Sequence, residues 1–384
     1  MFLNHNSFEN NKLFRIGGLG LILLLFLSFL LASCQDGIIL PPPVFEEPVT
    51  PWTGESDTAW YTGNSSSYTL DTAEELAGLA TLVDGGNSFN GIIINLDNDI
   101  DLANLEWNPI GTAWESGHSF QGTFDGRNHE IANFYINDDT ANGNSNAGFF
   151  GGVGGKNEGD GGTVMNIKFK NAHVEAAGHR VGIAVGALHY GTVIGIETDS
   201  TSSVNRENAT SLYAGGIVGA SFHSTIIGCT NAADVYGQKS SGGIVGYFLH
   251  STIEDCTNYG NLIAVNSDGG IGGIVGFVAG ETDYNSDNNL STITKCNNYG
   301  NITSTVAGEL FGGVIGRIGG APTHNTPVMK IVITDSHNYG KITASDGSDC
   351  TDEKGLFGGI AHYSTGNDAN VTVIEDGTQI FPEV

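Results

Sequence analysis

Basic residues are scarce: 14 Lys and Arg stand against 42 Asp and Glu, for a net charge of −28 over 384 residues. A chain this acidic repels phosphate backbones and has no basic footprint, which excludes nucleic acid as a partner class. Proline is thin as well, with nine residues against 57 glycines. Those glycines recur at fixed places, so they mark turns and not a disordered low-complexity chain. Catalytic signatures are absent too. His129-Glu130 is followed by Ile131, Ala132 and Asn133, so the second histidine of a zinc-peptidase helix is missing. No Gly-x-Ser-x-Gly elbow, phosphate loop or dinucleotide fingerprint occurs.

What the second half does contain is one unit written four times. Gly-Gly-aliphatic-aliphatic-Gly boxes open at Gly215, Gly242, Gly272 and Gly312, so the copies stand 27, 30 and 40 residues apart. Each box leads to an isoleucine (Ile226, Ile253, Ile293, Ile333) and then to Cys229-x-Asn231, Cys256-x-Asn258, Cys296-x-Asn298 and Ser336-x-Asn338. Weaker boxes begin at Gly148 and Gly182. Units of this length cannot bury an apolar face alone and must stack on their neighbours, which predicts a solenoid. From Gly to Cys/Ser the offset is 14 residues in the first two copies and 24 in the last two. The extra residues enter at one phase, near Ala279 to Leu290 and Gly319 to Val328, and so project as loops from one face.

Within a unit the alternation is explicit. Cys256, Asn258, Gly260 and Leu262 share one parity, as do Cys296, Asn298, Gly300 and Ile302, while Tyr259, Tyr299 and Tyr339 take the other. The first set faces inward, and its amides pair from coil to coil. Ahead of the repeats, Asp71-Thr72-Ala73-Glu74 reads as a helix start with an acceptor and a Glu three residues on. Leu76, Leu79, Ala80 and Val83 then fall on one face, and Gly85-Gly86 ends the run. This short helix would cover the open edge of the first coil. The fold class expected is all-β, a parallel β-helix with a short N-terminal capping helix.

The N-terminus carries Lys12 and Arg15 before an apolar stretch from Ile16 to Leu31, too short for a usual span and flanked as a secretory signal is. Leu31-Ala32-Ser33-Cys34 resembles the lipobox of bacterial lipoproteins, which implies a lipidated Cys34. Gln35 after it implies, by the same resemblance, the outer membrane. A Pro-rich segment up to about Trp52 is a stiff spacer. The domain plan is a signal over 1–33, lipidated cysteine and linker over 34–52, cap over 53–110, β-helix over 111–378 and a tail over 379–384.

The Gly-Gly-Ile-Val-Gly boxes and the Cys/Ser-x-Asn segments resemble the glycine-rich GLUG repeat of bacterial surface and secreted proteins. That likeness, together with Gly122-Thr123-Phe124-Asp125-Gly126, covers roughly residues 52–378. It implies a parallel β-helix and a lipid-anchored surface protein of the Bacteroidetes type, and it is poor for activity.

Candidate residues follow from the register. Tyr259, Tyr299 and Tyr339 should form an outward aromatic strip, suited to the apolar faces of sugars with Asn and Asp nearby for hydroxyls. The plainer reading is ring-on-ring stabilisation between coils. Cys229, Cys256 and Cys296 share a position that accepts Ser336, which fits a small buried residue better than a metal or redox ligand. Cys350 lies in a Gly/Asp/Ser loop as a free thiol. Asp283, Asn285 and Asp287 have the oxygen spacing of a calcium loop, but Asn288 and Thr294 stand where Gly and Glu belong. Asp125, Glu254 and Asp255 are the carboxylates a β-helix lyase or hydrolase would use, and His223, His250 and His337 read as surface residues. Asp57-Thr58-Ala59 and Asp139-Thr140-Ala141 resemble Bacteroidetes O-glycosylation sites. No cofactor is implied. The expectation is a non-enzymatic adhesin or glycan-binding module, its partners the outer membrane and extracellular glycans or host glycoproteins. The alternatives are a carbohydrate-active β-helix enzyme or a passive structural surface protein.

Overall fold

A computed structural model describes residues 50–112, 117–138, 146–177, 180–205, 211–237, 239–265, 269–280, 290–305, 310–319, 329–351, 356, 358, 360–361 and 371–381. The apolar run, Cys34, Asp139-Thr140-Ala141 and the Asp283, Asn285, Asp287 group lie outside the described residues. No helix among the described residues is long and apolar enough to cross a membrane.

The chain winds into a parallel β-helix whose coils build five sheets. One turn runs from Thr225–Ile227 in sheet 1 to Thr230–Asn231 in sheet 2, Asp234–Gly237 in sheet 3, Ser240–Gly242 in sheet 4 and Val245–Leu249 in sheet 5. It then returns to sheet 1 at Thr252–Glu254, in register with Thr225–Ile227. Sheet 1 is the longest, with 11 strands from Ser67–Leu70 to Thr378–Phe381. Strand pairs are parallel throughout until Val371–Glu375 meets Thr378–Phe381 antiparallel, which closes that sheet with a hairpin.

The core is a set of axial rows. Phe124, Val164, Val193, Ile226, Ile253, Ile293 and Ile333 occupy one inward row of sheet 1, all fully buried. β-Branched side chains suit this pleated surface, and each burial contributes about 1.5–3 kcal/mol. The earlier coils fill the same space with aromatics, among them Phe120, Phe134, Phe149, Phe150 and Phe169.

The repeat boxes are explained by close approach. A Cβ at Gly216, Gly243 or Gly273 would run into the inward amide of Asn231, Asn258 or Asn298 and a glycine carbonyl one coil away. A Cβ at Gly219, Gly246, Gly276 or Gly316 would strike the backbone of sheet 4 in an adjacent coil. The glycine box and the Cys/Ser-x-Asn box are therefore two sides of one contact.

The capping helix α1 spans Ala73–Asp84, one residue later than the sequence suggested. Thr72, not Asp71, is the N-cap: its hydroxyl accepts from the Glu75 amide at 3.2 Å, and Glu75 Oε2 accepts from the Thr72 amide at 3.3 Å. This reciprocal pair satisfies donors at both ends of the first turn, which Asp71 with Glu74 would not. Leu76, Leu79, Ala80 and Val83 are buried on the expected face. Ser67–Leu70 and Ile93–Leu96 already pair with each other, and the latter with Thr123–Asp125, so stacking begins within 53–110. Thr378–Phe381 forms the outer strand of the closing hairpin.

Candidate ligand-binding strip

Sheet 2 and the turn after it carry the repeated chemistry. Asn231, Asn258 and Asn298 are fully buried, and each donates from Nδ2 to the Oδ1 of the next asparagine at 2.8 Å, ending on Asn338. Each of these four also donates to the carbonyl two residues ahead, at 2.9 Å. Thr198 donates to Asn231 Oδ1 at 2.6 Å and starts the column. Beside it runs the thiol row. Cys229, Cys256 and Cys296 are buried, each thiol donating to the carbonyl two residues before it, and the Cys296 amide donates to Ser336 Oγ at 3.0 Å. Burial first, then contact with Cys229 and Cys296, pushes the Cys256 thiol well above its ordinary pKa, so the neutral form persists.

Because the asparagines point in, the next residue points out. Tyr259, Tyr299 and Tyr339 are exposed at 55%, 46% and 59%. Their rings stack, with centroids 5.2 and 4.8 Å apart and planes within 14°. The strip is thus continuous, with both faces of Tyr299 covered by neighbouring rings. Interior tyrosines offer edges and hydroxyls, and broad ring faces remain only at the two ends. Polar rows flank the stack. Thr257, Asn297 and His337 pair in register on one side, and Asn261, Asn301 and Lys341 lie on the other. Asp234 holds the Asn261 amide and side chain at 2.9 and 3.0 Å.

The other candidates separate. Asp125 and Glu254 share an outward row of sheet 1 but stand four coils apart, about 19 Å at a strand spacing of ~4.8 Å. Paired glycosidase carboxylates lie roughly 5–9.5 Å apart. Asp125 Oδ1 instead accepts from the Arg127 amide and Asn166 Nδ2, Glu254 pairs with Lys295 at 3.7 Å, and Asp255 turns a corner at φ +56°. His129 meets Asp99 at 3.0 Å and Glu130 meets Lys170 at 3.3 Å, both as surface pairs. Among the described residues no three His, Cys, Asp or Glu side chains converge as metal ligands would.

Two of the three histidines depart from the surface reading. His337 is exposed, but His250 is only 8% exposed and His223 is half-buried. They take the corner from sheet 5 to sheet 1, where Tyr190, His223 and His250 adopt φ of +50°, +49° and +45°. The Tyr190 and His223 rings stack at 4.8 Å, and His250 meets His223 edge-on at 5.0 Å. Sequence reasoning also missed an aromatic cluster on sheets 4 and 5, in which Tyr213, Phe222, Tyr247 and Phe277 touch in series. Arg180 lies over Phe222 and Arg317 over Phe277. These positions vary from coil to coil, so no repeated letter marks them.

Comparison with known proteins supports the architecture. The chain resembles a Bacteroides ovatus protein provisionally named an immunoglobulin A1 protease, whose crystal structure was determined at 1.30 Å. The TM-score is 0.52 at 18% identity, covering 80% of this chain and 83% of that one, which establishes a shared fold. In sequence it is 28% identical over 192 residues to halomucin of Haloquadratum walsbyi, a match spanning 47% of this chain and 2% of halomucin. No family model matches.

Proposed function

We propose that this protein is a lipid-anchored surface β-helix that binds extracellular glycans or glycoproteins through the Tyr259, Tyr299, Tyr339 strip. One observation carries the reading: three exposed phenol rings in strict register, flanked by amide and hydroxyl rows. The open ring faces at the two ends of the strip take the apolar side of a sugar, and the ring edges, fixed amides and hydroxyls along it take its oxygens. The Leu31-Ala32-Ser33-Cys34 sequence supports the anchor, and the likeness to halomucin fits a surface protein. A glycan array probed with the purified chain and with a Tyr259/Tyr299/Tyr339→Ala triple variant tests it. Binding by the parent and its loss in the variant, with unchanged circular dichroism, is expected. Equal signals from both would refute the strip as the site.

A further inference from the structure

The tyrosine column stops one coil short of where the amide column begins, and the vacancy has a definite shape. Asn231 pairs with Asn258 as Asn258 pairs with Asn298, so Ala232 occupies the place of a fourth ring below Tyr259. Each coil presents three outward positions here: Asn297, Tyr299 and Asn301, then Thr257, Tyr259 and Asn261, then Thr230, Ala232 and Asp234. Only the last lacks an aromatic centre. Below it, Thr198 lies under Asn231 and Asp199 under Ala232. The result is a notch one ring deep. Its roof is the face of Tyr259, its back wall the methyl of Ala232, its sides Thr230 and Asp234, and its floor Asp199 about two strand spacings, or ~10 Å, beneath the roof. Thr230, Ala232, Asp234 and Asp199 are all partly exposed.

The charge of this notch is mostly negative; the cation in register, Lys170 one coil below Asp199, pairs with Glu130 at 3.3 Å. Asp199 is partly buried, which raises its pKa, but the hydroxyls of Thr201 and Ser202 and the amides of Asn171 and Thr201 outweigh that and bring it below the ordinary value. Asp234 adds a second carboxylate, and the whole chain is at −28. At the other end of the column the setting differs. Tyr339 has the His337 ring at 6.0 Å, and Lys341 pairs with Asp349 at 3.6 Å.

Resting on the glycan-binding reading, we propose that the notch under Tyr259 is the primary subsite and that it takes a terminal pyranose bearing an amino group. The sugar's apolar face continues the aromatic column where the fourth ring is missing, and its ammonium sits between Asp199 and Asp234. A neutral pyranose fits the same space without the charge pairing. A uronic acid is rejected by both carboxylates.

The test uses the full chain in detergent, titrated calorimetrically with three β-1,4-linked tetramers that share ring stereochemistry: a glucosamine tetramer, cellotetraose and a cellouronate tetramer. The expected order is glucosamine, then glucose, then uronate, with at least a tenfold span between the extremes. Ala232→Tyr fills the notch by extending the stack and removes no tyrosine, so binding should fall at least tenfold while the melting temperature holds. Asp234→Asn should erase most of the preference for glucosamine over glucose, read as the ratio of the two affinities. Tetramer binding that is lost in the triple tyrosine variant but unchanged by Ala232→Tyr overturns the notch and leaves the strip intact. No binding of any glycan overturns both.

Discussion

Replacing Asn258 by Ala should be among the most damaging single changes in the coils. Its side chain is fully buried and makes three hydrogen bonds: from Nδ2 to Asn298 Oδ1 at 2.8 Å, from Nδ2 to the Gly260 carbonyl at 2.9 Å, and from Asn231 Nδ2 to its Oδ1 at 2.8 Å. Truncation leaves Asn298 Oδ1 and the Gly260 carbonyl without that donor in a place solvent does not reach. Each such orphan costs about 1–3 kcal/mol, so the loss should be roughly 3–5 kcal/mol. Asn338 makes a useful comparison because it ends the column and is only partly buried. Its Nδ2 bonds the Gly340 carbonyl at 2.9 Å, where water can replace it, and its Oδ1 accepts from the buried Asn298 Nδ2 at 2.8 Å; with one buried donor orphaned, Asn338→Ala should cost about 1–2 kcal/mol. Urea unfolding followed by circular dichroism gives both values. Stacked repeats can unfold in stages, so the midpoint of the affected coils, monitored by hydrogen exchange, is the better readout. Equal costs at the two positions, or a loss below about 1 kcal/mol at Asn258, would refute the claim that the amide column is a continuous buried network.

Three further outcomes follow from neighbouring features. In the folded chain a thiol reagent should label Cys350 quickly and Cys229, Cys256 and Cys296 only after denaturation, because the three are fully buried and burial keeps the Cys256 thiol neutral; fast labelling of more than one of these four would contradict the packing. Gly243→Ala should destabilise by about 1–3 kcal/mol, since its Cβ would enter the space of the Asn258 side chain, whereas Gly228→Ala, strained only by its φ of +62°, should cost about 1 kcal/mol on a melting curve. Burial, reinforced by His250 and His189, lowers the pKa of His223 from 6.5 to about 4, so between those values the unfolded chain holds a proton the folded one does not. Stability from this group is therefore present above pH 6.5 and is lost as pH falls toward 4. The half-buried setting limits the effect to about 1–2 kcal/mol. His223→Asn, which suits the positive φ, should flatten that part of the pH profile.

The repeat register was legible because a strand writes its two faces in alternate letters. Cys256, Asn258 and Leu262 against Tyr259 and Asn261 needed only a period of two, and the structure buries the first set and exposes the second. The start of α1 was less legible. Asp71 and Thr72 are both good caps, and the choice between them was made by Glu75 reaching back to both backbone amides, at 2.7 and 3.3 Å. A pattern of acceptor and Glu three residues apart fits either frame.

Corners were the least legible part, and the reason is general. Where the chain turns from sheet 5 to sheet 1, three different residues, Tyr190, His223 and His250, hold the same left-handed backbone. A histidine there is drawn into an axial stack with its neighbours one coil away, and so is buried against them. The corner from sheet 1 to sheet 2 obeys the same rule with Asn166, Gly195, Gly228, Asp255, Lys295 and Asp335. That sets Asp255 apart from a catalytic carboxylate: its position asks for a residue that tolerates positive φ, and adjacent coils meet the demand with glycine, aspartate or lysine. In a solenoid, a side chain's surroundings are fixed by what stands one coil above and below. The informative comparison for any residue is therefore the column it joins, and the notch at Ala232 is visible only in that comparison.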